Sequence, residues 1–310
     1  MLTIKENIPL SDFTTLRLGG PARFFAEIEN KNDLEKALQF AKGEKMNWFI
    51  LSGGSNLLVS DQGFDGLVIK INNRETAVRG TKIIVGAGLL LSEVVLLAKE
   101  NNLSGLEWAA GIPGTVGGAI FGNAGAYGGS ISDSVEKVEI LDFSKEKFFW
   151  KNCSLNDCQF AYRASVFKQK KKWIIFSAVF SLTSGRIEEI NGKMKKIIQE
   201  RFKKLPQKLS AGSFFKNPTV ENPEILAEFE KDQGMKIRDG KIPAGWLIDQ
   251  LDLRGKKIGG AMVSNEHANF IINTGGAKAE EVIILASLIK QKVRNHFGVQ
   301  LEEEVQFLGF

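Results

Sequence analysis

Cysteine is nearly absent from this 310-residue chain, which has only Cys153 and Cys158. They form one C-x4-C with no second pair and no histidine nearby, which argues against a zinc site and against a disulfide scaffold. Both are therefore read as reduced thiols, and no metal is expected. No apolar run approaches the roughly 18 residues that span a bilayer, so membrane insertion is not expected. The opening MLTIKENIPL lacks the layout of a signal peptide. A cytoplasmic protein is the expectation. The net charge of +5 is modest, and the basic run Lys168 to Lys172 contains no aromatic on which a base could stack. A second basic stretch, Lys193 to Lys208, reads as a solvated face. No nucleic-acid partner is expected, and the chain is expected to be a monomer. Internal repeats and low-complexity tracts are also lacking.

What the chain does have is length, apolar patterning and glycine. Its size exceeds that of a usual single core, so two domains, or one with a large appendage, are expected. Short β-branched runs bounded by turn residues predict strands at Trp48 to Leu51, Leu57 to Val59, Gly66 to Ile71, Ile83 to Val85, Val135 to Leu141 and Trp173 to Leu182. A short helix is predicted between Leu91 and Asn101. A long one is predicted over Ile187 to Lys204, with Ile187, Ile190, Met194, Ile197 and Ile198 on one stripe, ending before Pro206. After Leu205 come a helix near Pro243 to Leu251, strands at Ile258 to Val263 and Phe270 to Asn273, and a helix over about Lys278 to Phe297 that stops at Gly298. A last strand near Val305 to Leu308 is expected to return to the first domain. The fold class is α+β. The expected domains are 1–205, with subdomains of about 1–70 and 71–205, then 206–298, then the returning strand in 299–310.

Eight glycines fall within the 22 residues from Ala109 to Ser130, AAGIPGTVGGAIFGNAGAYGGS. Without a Cβ, successive N–H groups can converge on phosphate oxygens. A second such segment, LSGGSNLLV, covers Leu51 to Val59. Neither is followed by GK[ST], and GAGLLL at Gly86 lacks the third glycine of a dinucleotide fingerprint. Tight turns alone would also explain the glycines. Ser55, Asn56, Thr115 and Asn123 favour a ligand, because they add hydrogen bonds without bulk.

The two loops together resemble the FAD-binding domain of the PCMH or vanillyl-alcohol-oxidase type. SDFTTLRLGGPA (Ser11 to Ala22), LSGGSNLLV, GIPGTVGGAIFGNAGAYG, FAYRASVFK, SAGSFFKNP, AGWLID and LEEEV resemble, in order and over nearly the whole chain, the UDP-N-acetylenolpyruvoylglucosamine reductase family. The compact stretch from Leu205 to about Gly298 is similar to the family's type II, which lacks the inserted tyrosine loop of type I. The resemblance implies a two-part FAD-binding domain plus a smaller C-terminal α+β substrate domain. It also implies FAD as cofactor, NADPH as co-substrate, and UDP-N-acetylglucosamine enolpyruvate as the small-molecule substrate.

Carried over motif by motif, the resemblance assigns cofactor binding to Gly53, Gly54, Ser55, Asn56, Leu57, Gly111, Pro113, Gly114, Thr115, Gly118, Asn123, Ala124 and Gly125. It makes Arg163, Ser213 and Glu304 catalytic. Arg163 would grip the enolpyruvyl carboxylate. Hydride would pass from flavin N5 to C3, and Ser213 would protonate C2. Glu304, picked from the triplet Glu302, Glu303 and Glu304, would orient Arg163 or position the enolic intermediate. Tyr162, Lys204, Asn217 and His267 would bind substrate. Read without the resemblance, Arg163 is a surface arginine, Ser213 a turn residue, the glutamates a solvated run and His267 a packed or surface residue. Lys204 would offset a helix dipole. Trp246 reads as core and Asp249 as structural. An oxidase of the same superfamily, or a non-catalytic nucleotide- or RNA-binding protein, are the alternatives.

Overall fold

Two hydrophobic cores form, one in each of two compact units. The computed structural model describes residues 2–144, 147–234, 236–237 and 240–310. The first unit comprises Met1–Ile8, Ala22–Gly53 and Asp65–Lys203; the second comprises Pro9–Pro21, Gly54–Phe64 and Lys204–Phe310. The expected domain 1–205 is thus interrupted twice, by segments that belong with the C-terminal third.

In the first unit a four-stranded sheet has the order Ile4–Pro9, Pro21–Ile28, Phe64–Ile71, Asn47–Leu51. Its helix Lys31–Gly43, absent from the sequence reading, buries Leu34, Ala37, Leu38 and Ala41. The helix starts at Asn30, whose side chain accepts from the Asp33 N–H at 2.9 Å and so satisfies one of the four orphan donors there. A second, antiparallel sheet runs Phe149–Ser154, Val135–Asp142, Trp173–Ser181, Lys82–Gly86, Thr76–Arg79. Val138, Ile140, Ala178, Phe180, Ile83 and Val85 are among its core residues. Cys153 and Cys158 are buried free thiols in this unit.

The helix Ile187–Lys204 forms as predicted, but its stripe is narrower. Ile190 and Met194 are buried, while Ile198 is 48% exposed. At 3.6 residues per turn Ile198 lies about 80° round from Ile190, which carries it off the buried face.

In the second unit an antiparallel sheet runs Leu209–Ser213, Phe270–Asn273, Ala261–Val263, Lys257–Ile258. The single strand expected over Ile258 to Val263 is instead a hairpin, because Gly259 and Gly260 turn the chain between Lys257–Ile258 and Ala261–Val263. The helix Ala279–Phe297 buries Val282, Leu285, Ala286, Ile289 and Val293 and ends at Gly298. Trp246, in the helix Ala244–Asp249, is core, and its indole N–H donates to Asp232 at 2.7 Å. Asp249 pairs with Arg254. The last strand, Gln306–Leu308, runs parallel to Leu57–Val59, and both belong to the second unit. Among the described residues no helix is long and apolar enough to cross a membrane.

Candidate active site

In the first unit the two glycine-rich segments meet backbone to backbone. A Cβ on Gly53 would lie 2.6 Å from the Gly114 Cα, closer than real Cβ atoms approach, so only glycine fits. After Gly114 the chain enters a short helix, Val116–Gly122, where the sequence reading expected only loop. Gly118 lies inside it, and its Cβ would stand 3.2 Å from that of Ser52. The N–H groups of Val116 and Gly117 donate to Leu89 O and Ala87 O, both at 2.9 Å, which pins the helix start.

Thr115 is 7% exposed, and its Oγ1 has no hydrogen-bond partner among the described residues; neither does the buried indole Nε1 of Trp108. A buried polar atom left unpaired costs about 1–3 kcal/mol. Glycine cradle and orphaned donors together fit a bound group rich in polar atoms, such as FAD.

Asn123 and Ala124 are committed to the turn that follows. The Asn123 amide donates to Ala161 O at 3.0 Å and accepts from the Ser132 N–H at 3.1 Å, while the Ala124 N–H donates to Ala119 O at 2.8 Å. They shape the site through these bonds. The Arg163 guanidinium donates to Gly125 O at 2.9 Å, and Ser165 Oγ to Phe121 O at 2.7 Å. With the Asn123 bond, these clasp the 161–165 turn onto 121–125. Arg163 adopts φ +53°, a conformation costing an ordinary residue about 1–3 kcal/mol. Its Cζ stands 5.5 Å from the ring centroid of Tyr162, which is 41% exposed.

Sequence reasoning missed Trp108 and Arg201. Trp108 sits just ahead of the glycine run and packs on Gly129, where a Cβ would come within 2.4 Å of the indole. Arg201 places its Nε 3.3 Å from where a Gly111 Cβ would stand, and it shares a side-chain hydrogen bond with Tyr127. Burial lowers its pKa. The long basic helix concealed this one inward-facing cation among its lysines. Pro113 lies in the same segment, between Gly111 and Gly114.

In the second unit Gly54 has φ +61°, and a Cβ there would lie 1.8 Å from Phe13 O. Ser55 follows it, and Leu57 is a core residue paired with Gln306. Ser213 ends the strand Leu209–Ser213 opposite Phe270, after a bulge. Residues 302–304 run antiparallel beside the next three: Lys216 N–H donates to Glu302 O at 2.9 Å, Phe215 bridges Glu303, and Glu304 N–H donates to Phe214 O at 2.8 Å. Glu304 thus lies across an isolated bridge from the segment that directly follows Ser213. The carboxylates of Glu302 and Glu303 pair with Lys216 (3.0 Å) and Lys290 (2.7 Å).

Asn269, also missed, fixes this crossing. It is 3% exposed; its Oδ1 accepts from Phe215 N–H at 2.9 Å and its Nδ2 donates to Phe215 O at 2.8 Å. Two residues before it, His267 Nδ1 accepts from the Asn269 N–H at 3.2 Å. Burial, aided by the Arg254 charge, lowers the His267 pKa, keeping the ring neutral at pH 7. Asn217 Oδ1 accepts from the Ala244 N–H at 3.0 Å, at the start of Ala244–Asp249. Lys204 is the exposed last residue of its helix.

A family model for the C-terminal domain of UDP-N-acetylenolpyruvoylglucosamine reductase matches residues 204–308, and one for an FAD binding domain matches residues 22–149. The UDP-N-acetylenolpyruvoylglucosamine reductase of Solibacter usitatus is 38% identical over 310 residues, covering 99% of this chain and 97% of that one. That of Carboxydothermus hydrogenoformans is 40% identical over 309 residues, covering 99% and 94%. The crystal structure of the Thermus caldophilus enzyme matches with a TM-score of 0.79 at 32% identity, covering 100% of both chains. The chain is an FAD-binding oxidoreductase of α+β fold. It belongs to the UDP-N-acetylenolpyruvoylglucosamine reductase family.

Proposed function

We propose that the chain reduces the enolpyruvyl ether of UDP-N-acetylglucosamine to UDP-N-acetylmuramate with electrons from NADPH, in peptidoglycan precursor synthesis, using Arg163, Ser213 and Glu304 as catalytic residues. The observation that supports the residue assignment is the backbone pairing of 302–304 with 214–216, the segment directly after Ser213. FAD, held by Gly53 to Ser55, the backbone of Asn56, Gly111, Pro113, Gly114, Thr115, Gly118 and Gly125, supplies a two-electron carrier between NADPH and substrate. Leu57, Asn123 and Ala124 shape those segments.

The rest falls to side chains. An enol ether is electron-rich and resists hydride at its β-carbon until its carboxylate is polarised. Arg163 grips that carboxylate with two parallel hydrogen bonds and stabilises the charge that develops on it. The Ser213 hydroxyl delivers the proton to C2, and Glu304 orients Arg163 or positions the enolic intermediate before that transfer. Tyr162, Lys204, Asn217 and His267 bind the remainder of the substrate, with Lys204 on the diphosphate. The same reading makes the protein a cytoplasmic monomer without a nucleic-acid partner.

The test is NADPH consumption by the purified yellow protein. Steady consumption only when the enolpyruvyl substrate is added, with UDP-N-acetylmuramate as product, is the expected result. Steady consumption driven by oxygen alone would make it an oxidase. Light scattering should give one chain's mass, 34.2 kDa; a dimer mass would end the monomer assignment.

A further inference from the structure

Asn56 belongs to LSGGSNLLV, where its amide was expected beside the cofactor. Its Nδ2 instead donates to Glu304 O at 3.0 Å, and its own carbonyl accepts from the Gln306 N–H at 3.1 Å. On the other side the Glu304 N–H donates to Phe214 O at 2.8 Å. Both backbone polar groups of Glu304 are therefore fixed, one by the segment that follows Ser213 and one by a side chain from the glycine-rich loop. The parallel ladder with Leu57–Val59 begins only at Gln306, so it does not hold the Glu304 carbonyl. Val305, next in the chain, is 3% exposed and anchors the turn in the core.

We infer that Asn56 is a positioning residue: its amide fixes the backbone of Glu304 so that the carboxylate is presented in one orientation, and it ties that orientation to the ordering of the glycine-rich loop. The inference rests on the role proposed above for Glu304. A bond to a carbonyl fixes the peptide plane, and that plane contains the Cα from which the side chain departs.

Asn56→Ala, Glu304→Gln and the double variant form the test, with every rate scored per bound flavin. Rapid mixing separates flavin reduction by NADPH from reoxidation by the enolpyruvyl substrate. Asn56→Ala should slow maximal reoxidation by about 3- to 10-fold, the worth of one hydrogen bond, without a matching rise in half-saturating substrate. In the Glu304→Gln background the same change should alter the rate by less than about twofold, because residues that act through each other are not additive. Amide hydrogen exchange at Glu304 and Gln306 should quicken in holo Asn56→Ala. Additive costs would overturn the inference, as would a folded Asn56→Ala protein that has lost its flavin, since the amide would then serve the cofactor. Wild-type reoxidation in Glu304→Gln alone would instead remove Glu304 from the chemistry, a separate failure. If Asn56→Ala does not fold, Asn56→Asp, of the same shape but with no amide donor, carries the same cycle.

Discussion

Arg163 joins two requirements in one residue: the guanidinium proposed to grip the enolpyruvyl carboxylate and a backbone turned to φ +53°. Arg163→Lys keeps the charge but loses the planar fork, so reoxidation by substrate should fall steeply while the protein keeps its fold. A near wild-type rate would take Arg163 out of the reaction. Ser213→Ala should separate the half-reactions, because flavin reduction by NADPH needs no proton donor to carbon. Reoxidation should slow by about 10²- to 10⁴-fold, and equal slowing of both phases would make Ser213 structural. Cys158 gives a test of the fold. Burial, first, and the neighbouring Cys153 push its pKa from 9.0 to about 12. The native thiol should resist alkylation at pH 8 and react only on unfolding. A folded pKa above the unfolded one contributes stability that is complete below about pH 9 and is lost as pH rises toward 12, so Cys158→Ala should flatten that decline in alkaline melts. At this scale the motifs name Arg163, Ser213 and Glu304, but not Asn269 or the partner of Asn56. An asparagine that holds a distant backbone looks in sequence like any other polar residue.

Elements were legible where their period was strong. Trp173–Ser181 and Ala279–Phe297 stand out by their apolar patterning, and Gly298 marks a helix end. Val116–Gly122 was hidden because three of its seven residues are glycine, and what makes it helical is the pinning of its first N–H groups by Leu89 and Ala87. The close approach of Gly53 to Gly114 predicts that Gly53→Val or Gly114→Val forces the two segments apart and yields colourless protein. Full flavin occupancy in either would refute the cradle. The narrow stripe of Ile187–Lys204 is tested by Met194→Ala, expected to cost about 2–5 kcal/mol in denaturant unfolding, against Ile198→Ser, expected within about 0.5 kcal/mol of wild type. Comparable losses would put Ile198 back in the core.

At the scale of the whole molecule, composition and motif order suggested more than one domain, but not which residues each contains. Pro9–Pro21 and Gly54–Phe64 belong with Lys204–Phe310 for reasons no local window records. Leu16, Leu18 and Leu58 complete a core whose other residues lie beyond position 210, and Asn273 donates to Leu16 O at 3.1 Å. The pairing of Gln306–Leu308 with Leu57–Val59 has a kinetic meaning as well. Asn56 and Glu304 are separated by 248 positions, so the loop must wait through most of translation for the partner that orders it. At about 5–20 residues per second that wait lasts roughly 12–50 seconds, long against the closure of any local element. A ribosome stalled with Val305 still in its exit tunnel should therefore carry a nascent chain that proteases cut within 54–64, and release should close that window.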